Sequence, residues 1–478
     1  MASIDEARIR EIVAQVVSGM DTAAAAPTAD APEVSTPATT APSVVGHGIF
    51  GTSDDAVEAA VVAQRELVAL SLDTREKIIE ALRDVGRRRA RELAEMTVEE
   101  TGIGRVEHKI GKNEGAADLS PGMETLGSEA TTSDEGILIV ERAPLGVINA
   151  ITPTTNPTPT IINNAIIMVA AGNSVVFSPH PRAANCCLQA MAYLNDACVE
   201  AGGPRNILTA VASPSLRNAK ELMEHDSVDA VCATGGGGVV RAAMQTGKKA
   251  FAAGPGNPPA LVDETADLGH AAQSIVDGAS FDNDVLCIGE KACVAVEGVY
   301  DKLLREMTNR GAHLIRKHET QLLLDTVVQG DHANADMIGK DAVVILEAAG
   351  IRASSDALII LVEVDETHEL VVEELLMPIV PIVRARDFED AMRIAKATEG
   401  GRGHTAMIHS QRIDRIRAYS RAMEVGILVA NAPSFACAGI GGPGFLAMSV
   451  AGRTGEGFTT PRTFTTERRL SLIGAVAG

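Results

Sequence analysis

Val228-Asp-Ala-Val-Cys-Ala-Thr-Gly-Gly-Gly-Gly-Val-Val-Arg-Ala-Ala-Met-Gln-Thr-Gly247 is the stretch that decides the fold. Residues 228–233 are short and mostly apolar, which reads as a buried strand. Residues 238–247 read as a helix, with the four glycines at its start. Strand, glycine loop and helix in that order let backbone N–H groups at a helix N-terminus approach a pyrophosphate or a nicotinamide. The loop is not GxGxxG, so by itself it fits a nucleotide site and a plain glycine-rich turn equally.

The alternation continues on both sides. Strand 173–178 precedes helix 183–201, and strand 206–211 precedes helix 215–224. Such a series predicts a parallel sheet with helices on its faces. A second series follows Gly254. Strand 291–296 leads to helix 299–317, strand 357–364 to a loop, strand 379–384 to helix 387–398, and strand 404–409 to helix 411–424, with strand 427–430 last. Two α/β domains suit a 478-residue chain, which is too long for one ordinary core. Upstream, 53–70 and 73–100 read as helices and 136–142 as a strand. The run Thr459-Thr-Pro-Arg-Thr-Phe-Thr465 reads as an extended arm.

The N-terminal region has a different character. Ser3 is a helix cap, Asp5 and Glu6 suit a first turn, and Ile9, Ile12, Val13, Val16 and Val17 share one helical face. Gly19 can end this helix. Residues 21–43, rich in Ala, Pro, Thr and Ser, lack the large apolar groups that offset ordering entropy and read as a linker. A short helix on a tether needs a surface to dock on, and the tether favours a partner over its own domain.

Composition narrows the class. Aromatics are 3% and Trp is absent, so the core is built from Ala, Val, Ile, Leu and Met. A net charge of −21 argues against a general nucleic-acid or anionic-membrane binder. No apolar stretch has the length of a membrane span, and Asp5, Glu6, Arg8, Arg10 and Glu11 interrupt any secretory h-region. Seven cysteines without a CxxC pair imply free thiols in a reducing, cytoplasmic compartment. Cys186, Cys187, Cys198, Cys232, Cys293 and Cys437 read as buried small residues.

Cys287 differs from those six. It follows the polar turn Asp282-Asn-Asp284 and precedes Lys291, a setting that favours a reactive thiolate, although buried structural cysteines are commoner. Asn156, in Thr152-Pro-Thr-Thr-Asn-Pro157, can aim a fixed N–H donor at an oxyanion, or can simply form an Asx turn that starts a helix. His180, His404 and His409 read as histidines with satisfied hydrogen bonds. No cluster has metal-ligand spacing, so no metal site is expected.

Together these motifs resemble the aldehyde dehydrogenase superfamily over residues 46–469, and within it the CoA-acylating branch typified by the propionaldehyde dehydrogenases of bacterial microcompartments. The resemblance is carried by Glu100-Thr-Gly-Ile-Gly-Arg105, Pro144-Leu-Gly-Val-Ile148, Thr152-Pro-Thr-Thr-Asn-Pro-Thr158, Ile161-Ile-Asn-Asn164, Ala171-Gly-Asn-Ser174, Phe177-Ser-Pro-His-Pro181, Gly254-Pro-Gly-Asn-Pro-Pro259 and Ser280-Phe-Asp-Asn283. It implies an α/β fold with a Rossmann-like cofactor domain (46–125 and 143–252), a catalytic domain (253–440) and an oligomerisation arm (126–142 and 455–470). It further implies assembly as a dimer or tetramer.

The resemblance places the nucleophile at Cys287 and the oxyanion-hole amide at Asn156. Cofactor contacts fall on Thr152, Pro153, Ser178, Pro179, His180, Thr234, Gly235, Gly236, Gly237 and Glu374, the last holding the nicotinamide ribose. Hydrolytic members carry a Glu base where this chain has Ala253. Without that base water is poorly activated, whereas a thiol needs little help, so CoA is the expected acyl acceptor. Ser178 stands where many members have a Lys for the adenine ribose, and NAD is expected over NADP. The implied reaction takes a short aliphatic aldehyde, propionaldehyde by resemblance, to acyl-CoA with NAD and coenzyme A. Residues 1–20 resemble an encapsulation peptide, which implies a shell-protein partner and a location inside a microcompartment. Hydrolysis to a free acid, acyl-phosphate reduction and a non-catalytic scaffold are the alternatives weighed.

Overall fold

The structure, a computed structural model, describes residues 47–330, 332–452 and 457–474. The expected N-terminal helix (1–20) and linker (21–45) lie outside the described residues, as do residues 455 and 456 of the expected arm.

Two parallel sheets dominate. The first has six strands in the order Ile49–Phe50, Leu208–Val211, Ser174–Ser178, Val147–Ile151, Ala230–Thr234 and Lys249–Ala253. Its central strand, Val147–Ile151, is buried at every residue. That explains a continuous apolar run in place of period-two alternation, because helices cover both faces. From this strand the chain winds outward through Ser174–Ser178 and Leu208–Val211. It then resumes on the other side at Ala230–Thr234. The direction of winding reverses between Val147–Ile151 and Ala230–Thr234, and the crevice beyond the carboxyl ends of such strands is where ligands bind in open α/β sheets.

The second sheet has seven strands, in the order Ala312–Leu314, Ile359–Glu363, Ile379–Ala385, Ala292–Val296, Pro259–Val262, Thr405–His409 and Ile427–Ala430. All its pairings are parallel. A third, antiparallel sheet joins Glu129–Ser133, Gly136–Pro144 and Thr465–Ile473, with Gly136 opposite Ile473 and Pro144 opposite Thr465. Leu470, Leu472 and Ile473 are exposed on it.

The helix Pro157–Ala170 is buried at all its residues. Its polar side chains, Thr158, Thr160, Asn163 and Asn164, each make a hydrogen bond inside the core, as polar groups enclosed on every side require. Pro157 pre-sets the first turn, where its missing N–H costs nothing. This helix fixes Asn156 at its N-terminus to the most enclosed part of the first core.

Several elements differ from the sequence reading. Residues 73–100 form two helices, Leu72–Arg88 and Ala90–Thr101. Arg89 leaves helical geometry at φ −100° and ψ 4°. Its guanidinium lies 4.3 Å from the Tyr193 ring, and the Ala90 carbonyl accepts from Asn113. The apolar period runs through this break, so the pattern could not show it. The expected helix 299–317 is Glu297–Thr308. Gly311, at φ +93°, then turns the chain into the edge strand Ala312–Leu314. The run 459–465 is not an extended arm. Pro461–Phe464 is a 3-10 turn, and Phe464 is buried against Phe251. The extended segment begins at Thr465 and reaches Ile473.

Candidate active site

One cavity of about 810 Å³ opens where the carboxyl ends of the first sheet meet the amino ends of the second. Thr152–Asn156 follows one switch-point strand and Gly235 follows the other, so the topology brings both loops to one crevice. From the second sheet come Cys287, just before Ala292–Val296, and Glu374, just before Ile379–Ala385. The wall includes Thr152, Pro153, Asn156, Ser178, Pro179 and His180. It also includes Thr234, Gly235, Gly236, Ala253, Cys287 and Glu374. Gly237 is not on the wall, and Gly238 takes its place. Gly236 caps the helix Gly237–Gln245, and no atom lies within 4 Å of where a Cβ would stand on Gly236 or Gly238. An open glycine backbone at a helix N-terminus suits a phosphate-bearing cofactor.

The thiol end is built differently. Asp282, Asn283 and Asp284 have φ of +51°, +57° and +58°, three left-handed residues in succession. Asp and Asn tolerate that region best, but each costs free energy that the surroundings must offset. The offset comes from buried ion pairs. Asp282 accepts from the Arg105 N–H at 2.7 Å, from Lys109 Nζ at 3.0 Å and from Lys112 Nζ at 2.5 Å. Lys291 Nζ lies 3.0 Å from Asp284 Oδ1 and also donates to the Asp284 carbonyl. The carboxylates fit only because glycines face them. A Cβ on Gly104 would lie 2.2 Å from Asp282 Oδ1, and one on Gly289 would lie 2.0 Å from Asp284 Oδ1.

Cys287 sits half-buried at the end of this turn. Burial pushes its thiol up to about 12; the Glu374 carboxylate adds to the rise, while Lys291, a backbone N–H and Lys112 oppose it. The sequence reading took Lys291 as a promoter of thiolate. Lys291 does act in that direction while lying 3.0 Å from Asp284 Oδ1, but burial outweighs it. Burial also raises Glu374, whose Oε1 accepts the Gly256 N–H at 3.3 Å. Lys112 is held down to about 8, again by burial first.

Asn156 Oδ1 accepts from Lys112 Nζ at 2.6 Å. Its Nδ2 makes only long contacts, 3.3 Å to Thr155 Oγ1 and 3.3 Å to the Val285 carbonyl, and so faces the Cys287 loop as a loosely engaged donor. The Asx-turn reading is set aside, since the side chain makes no cap bond to the helix it precedes.

Three further sequence readings change. His404 is bonded only through Nδ1, 2.7 Å from Thr405 Oγ1, and both ring nitrogens of His409 find no hydrogen-bond partner among the described residues, so the first is half satisfied and the second is not. Burial holds both rings down to about 4. Cys437 is half-buried, and its Sγ donates to the Ser434 carbonyl at 3.0 Å. Sequence reasoning missed the helix Val106–Asp118 with Lys109 and Lys112. The signal was there: two lysines three apart, one helical face, beside the buried Ile110, Ala116 and Ala117.

A half-buried thiol and an oriented amide at one end of a nucleotide-sized cleft, with an open glycine loop on its wall, define an enzyme of covalent thiol chemistry with a dissociable cofactor. The Aldehyde dehydrogenase family model matches residues 30–456, and the chain belongs to that family. It is 42% identical to the acetaldehyde dehydrogenase (acetylating) EutE of Escherichia coli, over 91% of this chain and 94% of that one. It is 41% identical to the propanal dehydrogenase (CoA-propanoylating) of Salmonella typhimurium, over 92% and 95%. Among solved structures, a propionaldehyde dehydrogenase from the Clostridium phytofermentans fucose utilisation bacterial microcompartment superposes with TM-score 0.89 at 44% identity, covering 90% of this chain and 99% of that one. The Rhodopseudomonas palustris propionaldehyde dehydrogenase, solved with bound CoA and an acylated cysteine, superposes with TM-score 0.89 at 41% identity, covering 91% and 100%.

Proposed function

We propose that this chain oxidises a short aliphatic aldehyde, propionaldehyde first among them, and delivers the acyl group to coenzyme A through a thioester on Cys287. The observation that carries the reading is the meeting of Cys287 and Asn156 in a cavity whose wall presents the Ala253 methyl. NAD, when bound, supplies the hydride acceptor. Gly235, Gly236, Thr234 and the Thr152-Pro153 corner are the residues that would hold its phosphate and nicotinamide end. Ser178, Pro179 and His180 would hold the adenosine end, and Glu374 the ribose.

Cys287 releases its proton to solvent and Sγ bonds the aldehyde carbon. Asn156 Nδ2 and the Cys287 backbone N–H hold the oxyanion that forms. Re-forming the carbonyl expels hydride and leaves Cys287 acylated. The acyl carbon then passes from Sγ to the sulfur of CoA, the same two donors hold the second oxyanion, and Cys287 leaves as thiolate. Ala253 cannot take a proton from water, whereas a thiol attacks near neutral pH without a strong base.

Glu374 is an observation on the side of hydrolysis, because it puts a carboxylate on the cavity wall. NADH formation with and without CoA separates the readings: rapid turnover without CoA favours hydrolysis. Full turnover by Cys287→Ala would sink both, because each runs through a thioester on that sulfur.

The domain assignment belongs to the same proposal: cofactor domain 46–125 and 143–252, catalytic domain 253–440, and an oligomerisation arm. Exposed Leu470, Leu472 and Ile473 on the three-stranded sheet support the arm. Residues 1–20 are proposed to dock on a microcompartment shell protein. Deleting them should leave activity intact and abolish packaging; unchanged packaging refutes that part.

A further inference from the structure

We propose that Lys112 is a positioning residue for the oxyanion hole, its ammonium locking the Asn156 carboxamide with Nδ2 toward the Cys287 loop. The inference rests on the reading of Asn156 as the oxyanion donor. A carboxamide can present either end, and with its oxygen forward it would repel an oxyanion. An ammonium has donors and no acceptor, so only Oδ1 can face it. Lys112 Nζ stands 2.6 Å from Oδ1, which leaves Nδ2 for the cavity side.

Lys112 is itself fixed. Its side chain is 3% exposed and its Nζ is 2.5 Å from Asp282 Oδ2. Asp282 is in turn held by Lys109 and the Arg105 N–H. Two ammoniums therefore share one buried carboxylate. One lysine would balance that charge, so the second is surplus to the ion pair, and buried surplus charge is costly. It lies on the cavity wall beside Asn156, where negative charge develops in the reaction. For the same reason Lys112→Met should fold, because Lys109 still pairs with Asp282.

The test is a mutant cycle on the full chain with Lys112→Met, Asn156→Ala and the double variant. kcat and KM for propionaldehyde are read at saturating NAD and CoA. Asn156→Ala should lose about 10²–10³-fold in kcat, the usual cost of one oxyanion donor. Lys112→Met should lose about 10²-fold, as expected when a reacting group is misplaced. If Lys112 acts through Asn156, the double variant falls within about threefold of Asn156→Ala alone. NAD affinity and melting temperature stay near wild type, which separates positioning from general damage. Where Lys112→Met does not fold, Lys112→Gln, neutral and shorter, carries the same cycle. Losses that multiply in the double variant, or a Lys112 variant within threefold of wild-type kcat, overturn the inference. Full turnover by Asn156→Ala would instead sink the oxyanion reading on which it rests.

Discussion

In the cofactor-free protein, Cys287 should be a sluggish thiol. Burial and Glu374 hold it at about 12, against an ordinary value of 9.0. At pH 8 that difference means about 10³-fold less thiolate. Nucleophilicity rises with thiol basicity, with a slope of about 0.4–0.5, which returns a factor of about 20. The net expectation is alkylation about 50-fold slower than for an ordinary exposed cysteine. The assay is iodoacetamide labelling, read at the Cys287 peptide by mass spectrometry so that half-buried Cys437 does not interfere. The logarithm of the rate should climb linearly from pH 7 to 10 with no plateau. Glu374→Gln removes a neighbouring negative charge and should speed labelling, since a lowered thiol pKa gains more in thiolate than it loses in nucleophilicity. A plateau below pH 9, or slower labelling in Glu374→Gln, would refute the account of how the site holds its sulfur.

Three other outcomes follow from the structure. Ala253→Glu adds a carboxylate at the position where hydrolytic members carry their base, and NADH formation without CoA should rise at least about tenfold, given the 10²–10⁴ that a placed base contributes; progress curves lacking CoA read it directly. Burial raises Glu290 from 4.5 to about 7, so the folded state keeps a proton that the unfolded chain has lost, and the associated stability is full below 4.5 and gone above about 7. Glu290→Gln should flatten that slope between pH 5 and 7, worth about 3 kcal/mol at most, in melting curves taken across the range. Asp282→Ala leaves Lys109 and Lys112 buried without their carboxylate and should cost about 3–5 kcal/mol, read as a lowered denaturant midpoint, with Asp282→Asn losing less.

Much of the architecture was legible in residues that report on their own neighbourhood. Buried strands such as 174–178 and 230–234 announce themselves as short apolar runs, and the glycines after Thr234 mark the loop that the sheet's switch point makes useful. Cys287 and Asn156 were legible as chemical types in unusual settings. What escaped was set by contacts between distant segments. The ion pairs behind the thiol join Lys109 and Lys112 to Asp282, and nothing local to either segment reveals that meeting. Lysines 109 and 112 are near-completely buried, against the habit of their residue type, so composition pointed the wrong way. The break at Arg89 lies against Tyr193 and Asn113, which approach only in the folded chain.

The turn that carries the thiol is not a contiguous unit. Asp282 needs Gly104, Asp284 needs Gly289, and Glu290 needs Gly278, whose Cβ would stand 1.8 Å from its carboxylate. A segment cut from 278 to 291 and grafted onto a related scaffold would carry two of these partners and leave the third behind. Any transplant of the loop therefore has to bring the Gly104 turn with it, and drift at either position is constrained by the other. In evolutionary terms, the inheritance of this thiol is tied to a glycine from a segment far earlier in the chain.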